Sequence, residues 1–292
     1  MKDEKSLNNT IINWFPGHMT KAFRELEDKL KNIDVVVEVL DARAPRSTRN
    51  PDFEKLFKGK RRIIVLNKED LADRETTSAW VDYFRKQELM ALSYSVIRSK
   101  TSKPVLKAIE DVSMDIISRY SEKGVKKTIR VLVCGIPNVG KSALLNKLLG
   151  VKKLKEGNKP GVTKGLSWVR INEQVECMDS PGLLWPKFED KDIAHTIALI
   201  GSIRQEVLED EELSYYLVDL LRKNNSKLLT EKYDIEFDDD TPSIDIMYMI
   251  GKRRGFLLRG GEIDLERTSK LILDEFKNGK MGVFSFERPE DI

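Results

Sequence analysis

The sequence is poor in the residues from which disulfide frameworks and soft-metal centres are built. Its 292 residues include two cysteines and two histidines. Cys134 and Cys177 each lie inside an apolar, strand-like run and read as buried thiols rather than as a staple. His18 and His195 are far apart in sequence, and no cluster with metal-ligand spacing emerges. Nor does any nucleophile stand beside an evident base. No apolar stretch approaches the roughly 18 residues that a membrane-spanning helix needs. Residues 1–10 are charged and polar with no apolar core behind them, so no secretory signal is expected there. Internal repeats and low-complexity tracts are missing too. The expectation is a cytoplasmic protein of a reducing compartment, with no membrane partner.

What is present is charge, and it is unevenly placed. Charged residues make up 34% of the chain, for a net charge of +3. Residues 205–292 hold 21 acidic and 13 basic side chains, while the first 204 hold 38 basic and 27 acidic. A basic half suits a polyanionic partner, because each neutralised phosphate releases counterions. A solvated, lysine-rich surface accounts for the same balance, and charge alone does not choose.

The apolar pattern changes character along the chain. Runs over 33–40, 62–66, 92–96 and 129–134 are nearly continuous, as suits strands covered on both faces. Between them, spacing near 3.6 predicts helices from about 20, over 76–87 and over 105–120. A lysine-rich stretch, 121–127, reads as a linker, and a helix is expected over 142–149. Two further strands, 165–171 and 174–178, flank an Asn172-Glu173 turn. Strands alternating with helices imply a mostly parallel sheet. Beyond about 188 only helical spacing remains, over 192–203, 211–223, 244–254 and 264–278. A domain boundary is expected near 185–205, and 292 residues suffice for an α/β domain and a smaller helical one.

Chemistry enters at the ends of the predicted strands. Gly135-Ile136-Pro137-Asn138-Val139-Gly140-Lys141-Ser142 matches the phosphate-binding loop in full, between a strand and a helix. Backbone N–H groups from Asn138 to Ala143, through Val139, Gly140, Lys141 and Ser142, would surround phosphates at the helix N-terminus. Lys141 would bridge the β- and γ-phosphates, and the Ser142 hydroxyl would ligate Mg²⁺. About forty residues on, Asp179-Ser180-Pro181-Gly182 supplies a metal-side carboxylate, Asp179, and an N–H for the γ-phosphate at Gly182. Thr163, within Pro160-Gly161-Val162-Thr163, is either the second Mg²⁺ hydroxyl or a surface-turn threonine.

Asn67-Lys68-Glu69-Asp70 decides the base. The Asp70 carboxylate can accept from both N1–H and the exocyclic amine of guanine, which adenine cannot offer. Lys68 would lie over the base plane, and the Ser95 and Val96 backbone would face O6. The ligand class is therefore GTP or GDP, and the reaction GTP hydrolysis. These signatures run in permuted order: the guanine tetrapeptide first, then its partner loop, the phosphate loop, the switch threonine and Asp179.

Leu183 follows Gly182, where Ras-like enzymes carry the glutamine that orients water. His18, in a Pro-Gly turn beside aromatics, either takes that role or caps the helix behind it. Asn138 is compatible with K⁺ coordination or with a structural place in the loop. The residues leave both pairs open.

Trp14-Phe15-Pro16-Gly17-His18-Met19, Asp41-Ala42-Arg43-Ala44-Pro45, the permuted order and Asp179-Ser180-Pro181-Gly182-Leu183-Leu184-Trp185-Pro186 together resemble the bacterial ribosome biogenesis GTPase A family. The similarity extends to Arg253-Arg254-Gly255 and Gly260-Gly261. It implies a circularly permuted P-loop GTPase over 1–190 and a helical RNA-binding domain over 191–292. It also implies that His18 replaces the missing glutamine. The implied partner is the large (50S) ribosomal subunit and its rRNA, with no DNA expected. The implied role is a late maturation step, with GTPase activity raised by that particle. The competing function is a nucleotide-gated RNA chaperone in which hydrolysis is incidental. Two departures stand out. The family often has Asn-Ser at Ser95-Val96, with a glycine soon after that Arg98-Ser99-Lys100 lacks. The acidic helical domain would need a local patch for RNA, such as Lys252, Arg253, Arg254 and Arg259.

Overall fold

Every residue of the segment Val35–Asp41 is buried, and its apolar run is broken only by Glu38 before it ends at Asp41. Such a segment can only be a central strand, covered on both faces by helices. The computed structural model describes residues 12–13, 18–151, 167–185, 187–188, 190–203 and 209–291, with the side chains of 12–13, 18–22, 167 and 187 excepted. Two compact units are present: Met1–Ala194 with Phe284–Ile292, and His195–Val283.

In the first unit the order is β1 (Ile12–Asn13), α1 (His18–Leu30), β2 (Val35–Asp41), α2 (Pro45–Thr48), α3 (Asp52–Leu56), β3 (Arg61–Asn67), α4 (Arg74–Lys86), β4 (Met90–Tyr94), α5 (Lys103–Ser121), β5 (Ile129–Cys134), α6 (Lys141–Leu149), β6 (Ser167–Arg170), β7 (Val175–Asp179) and β8 (Lys187–Phe188). The main sheet runs β4-β3-β2-β5-β7-β6. All its pairs are parallel except β6 with β7. β1 pairs separately with β8. The expected strand 92–96 lies two residues earlier, at β4.

Chain order in this sheet steps outward from β2 through β3 to β4, then returns to β5 on the other side of β2. Right-handed crossovers put α4 and α5 on opposite faces when the direction reverses in this way. On one face, Val36, Leu132, Cys134 and Met178 pack with Leu26 and Leu30 of α1 and Phe53 of α3. Alternate residues farther along, Leu40, Ile64 and Leu66, pack with Trp80, Val81 and Phe84 of α4. Glu38 sits between these clusters. It is ionically paired with Arg62 at 2.8 Å, and Arg62 reaches Glu54 at 2.8 Å. Burial still raises the Glu38 carboxyl above its ordinary value against Arg62 and Arg49, the latter at 3.9 Å.

The helix α7 (Lys191–Leu199) ends four residues short of its sequence expectation, where Gly201 takes a left-handed φ of 79°. The second unit holds α8 (Asp210–Asn225), α9 (Lys227–Tyr233), α10 (Ser243–Arg253) and α11 (Leu265–Lys277). Leu217, Leu221, Ile246, Ile250, Ile272 and Leu273 form its buried interior. Gly251 permits the approach of α10 to α11, because a Cβ there would lie 2.6 Å from Thr268 Oγ1. Asp264 caps α11, accepting from the Arg267 N–H at 2.9 Å. Such a cap contributes about 1 kcal/mol.

Candidate functional site

The reversal of strand order between β2 and β5 opens a crevice at the carboxyl ends of the strands, where open α/β sheets bind ligands. Asp41, Asn67 and Asp179 are the last residues of β2, β3 and β7. Gly135 follows directly on β5, and Ser95 directly on β4. The topology therefore brings together motifs that the sequence holds far apart.

The loop from Gly135 to Gly140 depends on its glycines. Gly135 has φ 146°, and a Cβ would stand 2.4 Å from the Val39 carbonyl oxygen. Gly140 has φ 103° and would place a Cβ 2.2 Å from Asn67 Nδ2. Asn138 is left-handed at φ 62°, a region that asparagine tolerates better than most side chains. Behind the loop, α6 begins at Lys141, whose buried ammonium donates to the Ile136 carbonyl at 2.8 Å. Burial pulls this amine down to about 8, with Asp179 opposing the shift. Val139 is buried in the loop, while Ala143 is half-buried on the first turn of α6.

Asn67 joins three segments. Its Nδ2 donates to the Val139 carbonyl at 2.7 Å, and its Oδ1 accepts from the Val96 N–H at 3.2 Å. One side chain thus ties β3 to the phosphate loop and to the turn after β4. Val96 N–H is spent on this bond, while the buried Ser95 uses its hydroxyl to accept from the Arg98 N–H at 2.9 Å. Lys68 is left-handed at φ 62°, which turns its chain toward β2, where Nζ meets Asp41 at 2.8 Å. Asp70 is half-buried, with Arg98 at 4.0 Å.

Asp41 had no role assigned from sequence, although it lies in the Asp41–Pro45 motif. It accepts from Arg43 Nε and Nη2, each at 2.9 Å. Burial alone would raise this carboxyl, but Arg43 and Lys68 overcome it and hold it far below the usual carboxylate range. The signal that could have found it is its register position, directly opposite Asn67.

Across the crevice, the Ser142 hydroxyl donates to Asp179 Oδ2 at 3.2 Å. Gly182 is forced by contact, since a Cβ would lie 2.6 Å from the Pro137 nitrogen. Thr163 and the side chain of His18 lie outside the described residues.

A family profile described as 50S ribosome-binding GTPase matches residues 130–247. Ribosome biogenesis GTPase A of Bacillus cereus is 40% identical over 96% of this chain and 95% of that protein. The Thermotoga maritima protein of the same name is 35% identical over 96% of each chain. The chain belongs to the ribosome biogenesis GTPase A family. Its structure is similar to GNP-bound YlqF from T. maritima, at TM-score 0.65 and 32% identity over 93% of this chain and all of that one. GDP-bound YlqF is similar at TM-score 0.66 and 30% identity, over 92% of this chain and all of that one. The fold is the P-loop GTPase fold in permuted order, and the activity is GTP hydrolysis.

For a ribosome biogenesis GTPase A, residue 183 has an instructive environment. Leu183 is buried in the cluster of Leu26, Ile33, Phe53 and Met178. Its N–H donates to the Gly135 carbonyl at 3.2 Å, and its own carbonyl accepts from Asn50 Nδ2 at 2.9 Å. The side chain therefore points into the core, away from the crevice. The donor set at Ser142 and Asp179, a hydroxyl and a carboxylate 3.2 Å apart, fits Mg²⁺, which prefers hard oxygen ligands. Among the described residues, no group of three or more His, Cys, Asp or Glu side chains could hold a metal. No described helix is long and apolar enough to cross a membrane.

Proposed function

We propose that this chain is a GTP-driven assembly factor for the large ribosomal subunit, acting late in its maturation and leaving when GTP is hydrolysed. The observation that carries the GTP half is Asn67, which binds Val139 and Val96 at once and so builds one pocket from distant segments. Asp70 reads guanine, and Lys68 covers the base. Backbone N–H groups of 138–143 and Lys141 hold the phosphates. Ser142, Asp179 and Thr163 would hold Mg²⁺, which would supply charge neutralisation to the phosphates. Asn138 shapes the loop through its left-handed backbone, with K⁺ coordination as its alternative role, and Ser95 with Val96 shapes the O6 side.

The burial of Leu183 supports a hydrolytic residue from elsewhere, and His18 takes that part. Permutation supports release: the segment after Gly182 leads by chain connectivity into the helical unit, so a switch at the γ-phosphate can bias that unit. RNA is held locally by Lys252 and Arg259, which are exposed, with Arg253 beside Asp234 and Arg254 over the Tyr233 ring at 5.4 Å.

The test is GTP turnover with and without purified large subunits, for the wild-type chain and for His18→Ala. Strong stimulation that His18→Ala loses, with GTP binding retained, is the expected result. Equal rates with and without particles would overturn the assembly-factor reading. Normal subunit maturation in cells carrying His18→Ala would instead favour an RNA chaperone with incidental hydrolysis.

A further inference from the structure

After the helical unit the chain returns to the first unit, and residues 284–287 lie across the loops that follow β2 and β3. The Phe284 N–H donates to the Leu71 carbonyl at 3.0 Å, and the Phe286 N–H donates to the Arg43 carbonyl at 2.8 Å. Between them, Ser285 Oγ accepts from the Asp73 N–H at 3.0 Å. Glu287 is the anchor. Its carboxylate accepts from the Arg46 N–H at 2.8 Å, from the Ser47 N–H at 3.0 Å and from the Ser47 hydroxyl. Its carbonyl accepts from Trp80 Nε1 at 3.0 Å.

These bonds bracket the guanine loop. Arg43 is bonded to Asp41, and the Leu71 N–H donates to the Lys68 carbonyl at 2.9 Å, so each member of the Asp41–Lys68 ion pair is joined to a residue that the strap holds. The turn that Glu287 caps also holds Asp41 itself, whose N–H donates to Thr48 Oγ1 at 3.1 Å. A path of direct contacts therefore runs from Glu287 through the turn at 45–48 and Asp41 to Lys68. The other end of the strap fixes Leu71, one residue past Asp70. Both ends act on residues assigned to the base, and none of these bonds reaches the phosphate loop.

We propose that residues 284–287 are a retention strap for guanine nucleotides, with Glu287 as the positioning residue that sets the rate of GDP release. The proposal rests on the guanine reading of Asn67–Asp70. Covalent connection gives it a use. The helical unit is tied to the first unit at both of its ends, by the chain leaving the Gly182 side and by the strap returning to the base side. A partner that grips the helical unit can therefore loosen the base contacts without touching them.

The experiment measures dissociation of fluorescent GDP from the full chain by stopped flow, for wild type, Glu287→Ala and Ser285→Ala. Ser285→Ala removes one half-buried hydrogen bond and serves if Glu287→Ala does not fold. Release about tenfold faster in Glu287→Ala and about threefold faster in Ser285→Ala is expected, the first corresponding to about 1.4 kcal/mol. The preference for GDP over IDP, which lacks the 2-amino group, should narrow in the same order. A generally less stable protein would lose both nucleotides alike. Hydrogen exchange at the Arg46 and Ser47 amides reports whether the strap has detached. Detachment with unchanged GDP release and unchanged GDP/IDP preference would overturn the strap. A wild-type chain that does not prefer GDP over ADP would instead overturn the guanine reading on which it stands.

Discussion

Leu183 shows what one position decides. A glutamine there would bury an amide among Leu26, Phe53 and Met178, with its polar atoms lacking partners. Such burial and the lost packing cost about 2–4 kcal/mol. Leu183→Gln is expected to lower the unfolding free energy by that amount, read from a lower denaturant midpoint, and to leave GTP turnover no higher, as chemical denaturation and a phosphate-release assay would check. The same scale governs Lys141, whose amine is lowered by burial to about 8 from the ordinary lysine value of 10.5. A lysine depressed on folding binds fewer protons than it does unfolded, so stability rises with pH between these values. A bound triphosphate favours the charged form again, so nucleotide binding at pH 8.5 takes up a proton that it does not take up at pH 7. Calorimetry in two buffers of different ionisation heat measures that uptake, and Lys141→Met should abolish it.

At the scale of elements, the loop after β5 and the loop after β7 touch backbone to backbone through Gly182 and Pro137. The atoms that a Cβ would meet there are the backbone and ring of Pro137, which cannot rotate away. Gly182→Ala should cost about 1–3 kcal/mol, as overpacking does, and should weaken GTP and GDP alike at least tenfold. Fluorescent-nucleotide titration reads the affinity, and hydrogen exchange should find α8, α10 and α11 as protected as before. Elements of this kind were legible where burial left a periodic trace. β2, β3 and β5 are apolar runs because parallel strands are covered on both faces, and α4, α5 and α11 carry helical spacing. The short helices α2, α3 and α9 left no such trace, because four to seven residues give too few turns for a period. The segment 284–287 is Phe-Ser-Phe-Glu, too short for alternation to stand out. Asp41 was visible as a motif letter, but its partner Lys68 follows from strand register, which no local pattern encodes.

On the scale of the whole molecule, the motif order is what sequence reading conveys best, since each signature is short, fixed and tied to a strand end. How the chain closes on itself is conveyed least. The bonds from Arg46 and Ser47 to Glu287 join residues 241 and 240 positions apart. That span has a consequence for biosynthesis. While the polypeptide is being made, the turn at 45–48 leaves the exit tunnel long before its capping carboxylate has been translated. The guanine side of the nucleotide unit therefore lacks this support until residue 287 has been added, and a fragment stopped before it should hold GDP less firmly than a chain that includes it.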